Sequence, residues 1–310
     1  MIKKTLYFGN GAYLSCKDKQ LVIKIPEAEI KEEQSVKPNM HRTIPIEDIG
    51  IVILDNKQIT ITTTALNSLI KNNCAVVTCD EKNMPIGLFL PLESNTLQSE
   101  RFRIQAEASL PTKKQIWQQT IRQKILNQAT LLSLRDVECG NLLAWSKDVR
   151  SGDPDNYEAR AAVYYWANLF PNKKYFVRDR YGESPNSLLN YGYAILRAII
   201  ARALVGTGLN VTYGVFHRNK YNAYCLADDI MEPYRPVVDK LVLEIVEYFG
   251  YNATIEDKNI KSKFLSIPTF DVKIGNKTHP LEIAAGITAV SVLKYFKGEC
   301  KQIAYPELIT

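Results

Sequence analysis

Histidine is scarce in this chain. Its 310 residues hold three, with three tryptophans and four methionines, so the position of each imidazole is informative. The six cysteines form no CxxC pair; Cys74 and Cys79, in CAVVTC, are the nearest two. That spacing excludes a zinc knuckle and reads as reduced thiols in an intracellular protein. No apolar run approaches the length needed to cross a bilayer. The N-terminal MIKKTLYFGNGAYLSCKDK alternates like a strand and lacks a signal peptide's apolar block, so no membrane association and a cytoplasmic location are expected. Internal repeats and low-complexity segments are also missing. What is present is ordinary for a soluble globular chain: 46% hydrophobic and 23% charged residues. The formal net charge of +6 leans toward a polyanionic partner, though many enzymes unrelated to nucleic acid are as basic.

Two kinds of periodicity divide the sequence. Up to about residue 95 the pattern repeats every two residues. TLYFGNGAYLSC reads as two runs around Asn10-Gly11, a dipeptide suited to a tight hairpin turn. QLVIKIP, IGIVILD, QITITTT and AVVTCD follow as strands, with one short helix near ALNSLIKN. This predicts a small antiparallel β domain over residues 1–95. From 96 to 310 the apolar period is near 3.6, predicting a larger all-α domain and an α+β chain overall. Thr112 is the expected N-cap of TKKQIWQQTIRQKILNQATLL. There Ile116, Thr120, Leu126 and Ala129 alternate with Lys113, Lys114, Arg122 and Lys124. Further helices are expected from about Asn156 to Pro171, in the apolar SLLNYGYAILRAIIARALV stopped by Gly206 and Gly208, and in KLVLEIVEYFG and PLEIAAGITAVSVLKYF.

The residues able to do chemistry cluster in GVFHRNKYNAYCLADDIMEPYR. Pro233 and Pro236 lack an amide proton, so a helix is expected to start near Glu232, with Asp228 and Asp229 in the turn before it. From spacing alone, helix capping is the stronger explanation of acids there, since they meet the positive end of the helix dipole and cap free amides. His217, flanked by Arg218 and Lys220, fits a strand-end histidine as well as a ligand. Glu158 heads a helix whose next turn presents Ala161, Ala162 and Tyr165, a buried face. A carboxylate there needs a cation, a donor or a metal to offset desolvation, and tyrosine hydroxyls or Arg197 would serve. Together, two carboxylates and one imidazole from three elements suit a divalent cation such as Mg²⁺ or Mn²⁺. Arg178, Arg180, Arg218 and Lys220 would surround it, or are solvated charge. His41 and His279 carry no motif.

SLLNYGYAILRAIIARALVGTGLNVTYGVFHRNKYNAYCLADDIMEPYRPVVD resembles the signature of the CRISPR-associated adaptation integrase and endonuclease family ("Cas one"), most like its type II form. The likeness spans the chain: β domain, NYEARAAVYYW helix, histidine segment and DDIMEPYRP block come in the family's order. The resemblance implies a metal-dependent DNA endonuclease and integrase with Glu158, His217 and Glu232 as catalytic metal ligands for Mg²⁺ or Mn²⁺. Asp229 would support them or bind occasionally. Ala159 replaces a glycine common in other subtypes.

It further implies insertion of prespacer DNA into a CRISPR array by 3′-hydroxyl attack on a repeat phosphodiester, in the prokaryotic cytoplasm. Implied partners are double-stranded prespacer and leader-repeat DNA, a second copy bound through the β domain, and a small ferredoxin-like adaptation protein completing a heterohexamer. Other type II CRISPR proteins are further partners. Arg178, Arg180, Arg218 and Lys220 are the candidate DNA contacts. Two alternatives stand beside this: a divalent-metal repair nuclease acting on branched or single-stranded DNA, and a DNA-binding scaffold without catalysis.

Overall fold

The structure is a computed structural model describing residues 2–25, 42–170 and 176–309; His41 falls outside them. The chain divides into two units, Met1–Ser94 and Asn95–Thr310.

The first unit is built from strands β1 (Lys4–Phe8), β2 (Ala12–Lys17), β3 (Gln20–Lys24), β4 (Arg42–Pro45), β5 (Ile49–Leu54) and β6 (Ile59–Ile61). Helix α1 (Thr63–Lys71) then leads to β7 (Ala75–Cys79) and β8 (Pro85–Phe89). These form two four-stranded sheets, β1-β5-β7-β8 and β4-β3-β2-β6. Both are mixed, which corrects the antiparallel expectation: β1 pairs with β5, β5 with β7, and β2 with β6 in parallel. The expected Asn10-Gly11 hairpin is likewise absent, because β1 and β2 belong to different sheets. Neither Asn10 nor Gly11 has a positive φ. The tight turn falls at Asp18 (φ 50) and Lys19 (φ 60), between the antiparallel β2 and β3. A dipeptide merely able to turn yielded to apolar residues that bury in separate layers. Leu14, Leu21, Ile49, Val52, Leu69 and Val76 share one core, and each such side chain contributes roughly 1.5–3 kcal/mol on full burial.

The second unit holds α2 (Gln98–Glu107), α3 (Leu110–Ser133), α4 (Gly140–Asp148), α5 (Tyr157–Leu169) and α6 (Asn186–Gly206). After these come α7 (Cys225–Met231), a 3-10 turn (Glu232–Tyr234), α8 (Arg235–Phe249), α9 (Lys258–Leu265) and α10 (Leu281–Phe296). A hairpin of β9 (Asp271–Ile274) and β10 (Lys277–Pro280) interrupts it, so this unit is mostly rather than wholly helical. His279 lies in β10. Helix α3 begins two residues before Thr112. Ser109 is the cap, its Oγ accepting from the Thr112 amide at 3.2 Å, and Pro111 sits in the first turn, where it costs no hydrogen bond.

Contrary to the sequence expectation, α6 is long and apolar enough to cross a membrane. Yet 67% of its most apolar window is buried inside the protein, as in a core helix. It packs against α7, α8 and α10. A Cβ at Gly192 would lie 2.4 Å from Val238 Cγ1, so the α6–α8 approach depends on that glycine.

Helix α3 anchors the segment carrying Glu232. Asn127 Nδ2 donates to the Pro233 carbonyl at 2.7 Å and the Pro306 carbonyl at 2.9 Å, while its Oδ1 accepts from the Leu308 amide at 3.1 Å. This buried, satisfied amide ties α3, the 3-10 turn and the C-terminal strap together.

Candidate metal centre

Asp228 and Asp229 do not lie in a turn. They belong to α7, buried on every residue, which ends at Met231 because Pro233 and Pro236 each open a new helical segment. Asp228 accepts from Arg197 Nε at 2.6 Å and Asn222 Nδ2 at 2.7 Å, so Arg197 is committed there rather than to Glu158. Asp229 is fully buried and accepts four bonds from the histidine segment. Three come from the amides of Val215 (2.7 Å), Phe216 (3.0 Å) and His217 (3.2 Å), and the fourth from His217 Nδ1 (2.5 Å).

One carboxylate thus folds the loop and orients the imidazole. With Nδ1–H held by a carboxylate, Nε2 keeps the lone pair that can bind a metal. The bond to Asp229 raises the His217 pKa above the ordinary histidine value, against the opposing effect of burial. Full burial pushes Asp229 up despite the donors around it. Gly214 makes the loop possible: a Cβ there would lie 2.4 Å from the His217 carbonyl oxygen and 3.0 Å from Asp229 Oδ2. Trp117 of α3 backs the segment, stacking on Phe216 with centroids 4.1 Å apart and meeting the His217 ring edge-on at 5.7 Å.

The two glutamates arrive from separate helical starts. Asp153 caps α5, accepting from the amides of Tyr157 and Glu158 at 2.9 Å each, and so fixes where Glu158 leaves the helix. Glu232 opens the 3-10 turn and is buried. Both reach Lys124 of α3: its Nζ is 2.8 Å from Glu158 Oε1 and 2.7 Å from Glu232 Oε2. Arg235 Nη2 lies 3.0 Å from Glu232 Oε1, with its guanidinium 4.9 Å over the Tyr193 ring. Burial alone would raise Glu232, but Arg235 and Lys124 hold its carboxyl below the ordinary glutamate value. Burial likewise works against a charged Lys124, and the two glutamates outweigh it, raising its pKa. Both glutamates act electrostatically on His217 as well, so all three side chains share one neighbourhood.

They do not stand as a ready cage. Among the described residues, no group of three or more histidine, cysteine, aspartate or glutamate side chains is assembled to hold a metal. The Lys124 ammonium sits between the two glutamates. The donor set still suits a hard or borderline divalent cation, and the bound ammonium shows that the glutamate pair accepts positive charge.

The sequence pattern assigned Lys124 to the polar face of α3, yet it is only 8% exposed, while Leu126 is 37% exposed. A stripe from Trp117 through Thr120 and Lys124 to Asn127, at helical spacing, was the available signal. Gly214 and Arg235 also went unread.

The four expected DNA contacts separate into two kinds. Arg180, Arg218 and Lys220 are exposed. Arg178 is spent internally: it donates to the Asp179 carbonyl, Asn186 Oδ1 and Asn190 Oδ1, and stacks 5.4 Å over Tyr193.

The family description "CRISPR associated protein Cas1" matches residues 6–253. The CRISPR-associated endonuclease Cas1 of Neisseria meningitidis serogroup C (strain 8013) is 34% identical over 100% of this chain and 97% of its own length. A casposase bound to an integration product superposes with a TM-score of 0.77 at 22% identity, over 98% of this chain and 92% of its own. A chain from a Cas6-RT-Cas1–Cas2 complex superposes with a TM-score of 0.74 at 18% identity, over 100% of this chain and 37% of its own. The α+β architecture built here, mixed sheets followed by a mostly helical unit that brings Glu158, His217 and Glu232 into one neighbourhood, is therefore that of a protein belonging to the CRISPR-associated protein Cas1 family.

Proposed function

We propose that this chain is a divalent-metal-dependent DNA endonuclease and integrase of CRISPR adaptation. The observation that carries the reading is the meeting of two glutamates around one cationic group beside an imidazole locked by Asp229. Glu158, Glu232 and His217 Nε2 would hold Mg²⁺ or Mn²⁺. When bound, the cation would supply Lewis-acid charge to a phosphodiester.

The protein's own groups define the rest. Asp229 fixes the imidazole, so no rotamer search precedes binding. Asn127 holds the Glu232 segment against α3, and Arg235, three residues further on, steadies the Glu232 carboxylate. Exposed Arg180, Arg218 and Lys220 would neutralise DNA phosphates without reading sequence. In the transfer, the prespacer 3′-hydroxyl would lose its proton and bond to the phosphorus of a repeat phosphodiester, the bond from that phosphorus to the target strand's 3′-oxygen would break, and that oxygen would leave as a protonated 3′-hydroxyl; a second reaction would join the opposite strand. Water in place of that hydroxyl would give nicking.

The sheets of Met1–Ser94 would mediate pairing of two copies, and a small ferredoxin-like adaptation protein would bridge the dimers. The relative in complex with Cas2 and the casposase caught on an integration product support this reading. The test is to incubate labelled duplex bearing free 3′-hydroxyls with supercoiled plasmid and Mn²⁺. Joined product that disappears in Glu158→Gln and His217→Ala supports integration. Nicking alone supports a nuclease, and no metal-dependent product refutes both.

A further inference from the structure

Metal sites rarely place a lysine on their own ligands. Here the Lys124 ammonium contacts both glutamates, at 2.8 and 2.7 Å, and the side chain is nearly buried. Its position is not accidental to the fold. Trp117, Thr120 and Asn127, on the same stripe of α3, are buried against the histidine loop and the C-terminal strap, so the helix cannot rotate Lys124 away. The oxygens it occupies, Glu158 Oε1 and Glu232 Oε2, are lone pairs a divalent ion would need. An ammonium has no lone pair to share with a metal, and two cations on one carboxylate pair repel in a poorly solvated site.

We propose that Lys124 is a built-in competitor for the metal. It neutralises the glutamate pair in the metal-free protein, and a divalent ion binds only by displacing its ammonium. This rests on the metal-site reading above and adds to it a residue that weakens affinity, so that loading requires a side-chain exchange rather than simple capture. The other charges facing the pair are fixed in place: Arg235 pairs with the second Glu232 oxygen, Oε1, with its guanidinium packed over Tyr193, and His217 is bonded to Asp229. Lys124, on its flexible stem, is the group able to leave.

Calorimetric titration of Mn²⁺ into the full chain tests this, using the wild type, Lys124→Met, Lys124→Gln and Glu158→Gln. Competition of this kind is a negative coupling, typically about 5- to 150-fold, so both lysine variants should bind Mn²⁺ at least about fivefold more tightly. Glu158→Gln should lose the binding. If Glu158→Gln loses binding while the lysine variants bind equally or more weakly, the competitor role is overturned and the metal site stands. If Glu158→Gln is unchanged, or no variant binds Mn²⁺, the metal-site reading falls and this inference with it. A readout on the wild type avoids any folding defect. With lysine side chains isotopically labelled, the protected Lys124 ammonium signal should be lost as Mg²⁺ is added; persistence at saturating Mg²⁺ overturns displacement.

Discussion

Asp229→Asn is the most informative single-atom change. Asp229 Oδ2 accepts from the amides of Val215 and Phe216, and Oδ1 from the amide and Nδ1 of His217, inside a fully buried site. An asparagine retains one oxygen, so one of these two donor pairs must face an NH₂ group. Leaving buried donors unsatisfied costs about 1–3 kcal/mol each, which places the loss at about 2–6 kcal/mol for two. The two orientations of the amide also differ in consequence. If the NH₂ faces Val215 and Phe216, the loop itself is loosened. If it faces His217, the ring can respond by moving its proton to Nε2, which removes the lone pair a metal would use. Either way Mn²⁺ affinity should fall, by about 10–100-fold for a partner that orients a ligand. Urea unfolding followed by tryptophan fluorescence, paired with Mn²⁺ titration, measures both effects. A variant within 0.5 kcal/mol of wild type and unchanged in metal affinity would refute the role assigned to Asp229.

Gly214→Ala should destabilise by about 1–3 kcal/mol and weaken Mn²⁺ binding, because its Cβ would strike a backbone carbonyl at 2.4 Å; full activity with native stability counts against the tight loop. Asp239 provides a pH test. Burial raises its carboxyl to about 6, with Tyr165 and Tyr193 donating to it. A raised folded-state value means the native state binds the extra proton between its unfolded value of 3.8 and about 6, so this group's contribution to stability falls as pH rises through that window. Asp239→Asn should therefore gain about 2 kcal/mol relative to wild type between pH 4 and pH 6, and a pH-independent difference contradicts the assignment. Arg218→Glu with Lys220→Glu should weaken duplex binding and flatten its salt dependence by about one unit per lost phosphate contact. Arg178→Ala should instead lower stability through its lost bonds to Asn186 and Asn190, leaving the salt slope as it was.

Much of the molecule was legible because local and tertiary demands agree in it. The apolar run of α6 and the Gly206-Gly208 stop match the observed Asn186–Gly206 helix, and the period change near residue 95 falls at the boundary between the two units. Of the candidate site residues, Glu158, His217 and Glu232 share a neighbourhood, with Asp229 behind the imidazole; what they hold is for the metal experiments to decide. The misreadings share one cause, a local preference overridden by long-range packing. Asn10-Gly11 had the chemistry of a turn, but its flanking strands pair elsewhere. Pro233 and Pro236 do begin helical segments, yet a separate helix before them carries the aspartates. Lys124 reads as solvated charge in one dimension, and only the arrival of two glutamates from distant elements explains its burial. Gly214 cannot be singled out without seeing what fills the space where its Cβ would be.

Anomalous diffraction from crystals of the full chain soaked in Mn²⁺ tests the metal centre most directly. The expected result is one strong peak bonded to the Glu158 and Glu232 carboxylates and to His217 Nε2, with Nδ1 still held by Asp229. A well-soaked crystal with no peak there, or with manganese bound only elsewhere, would contradict it.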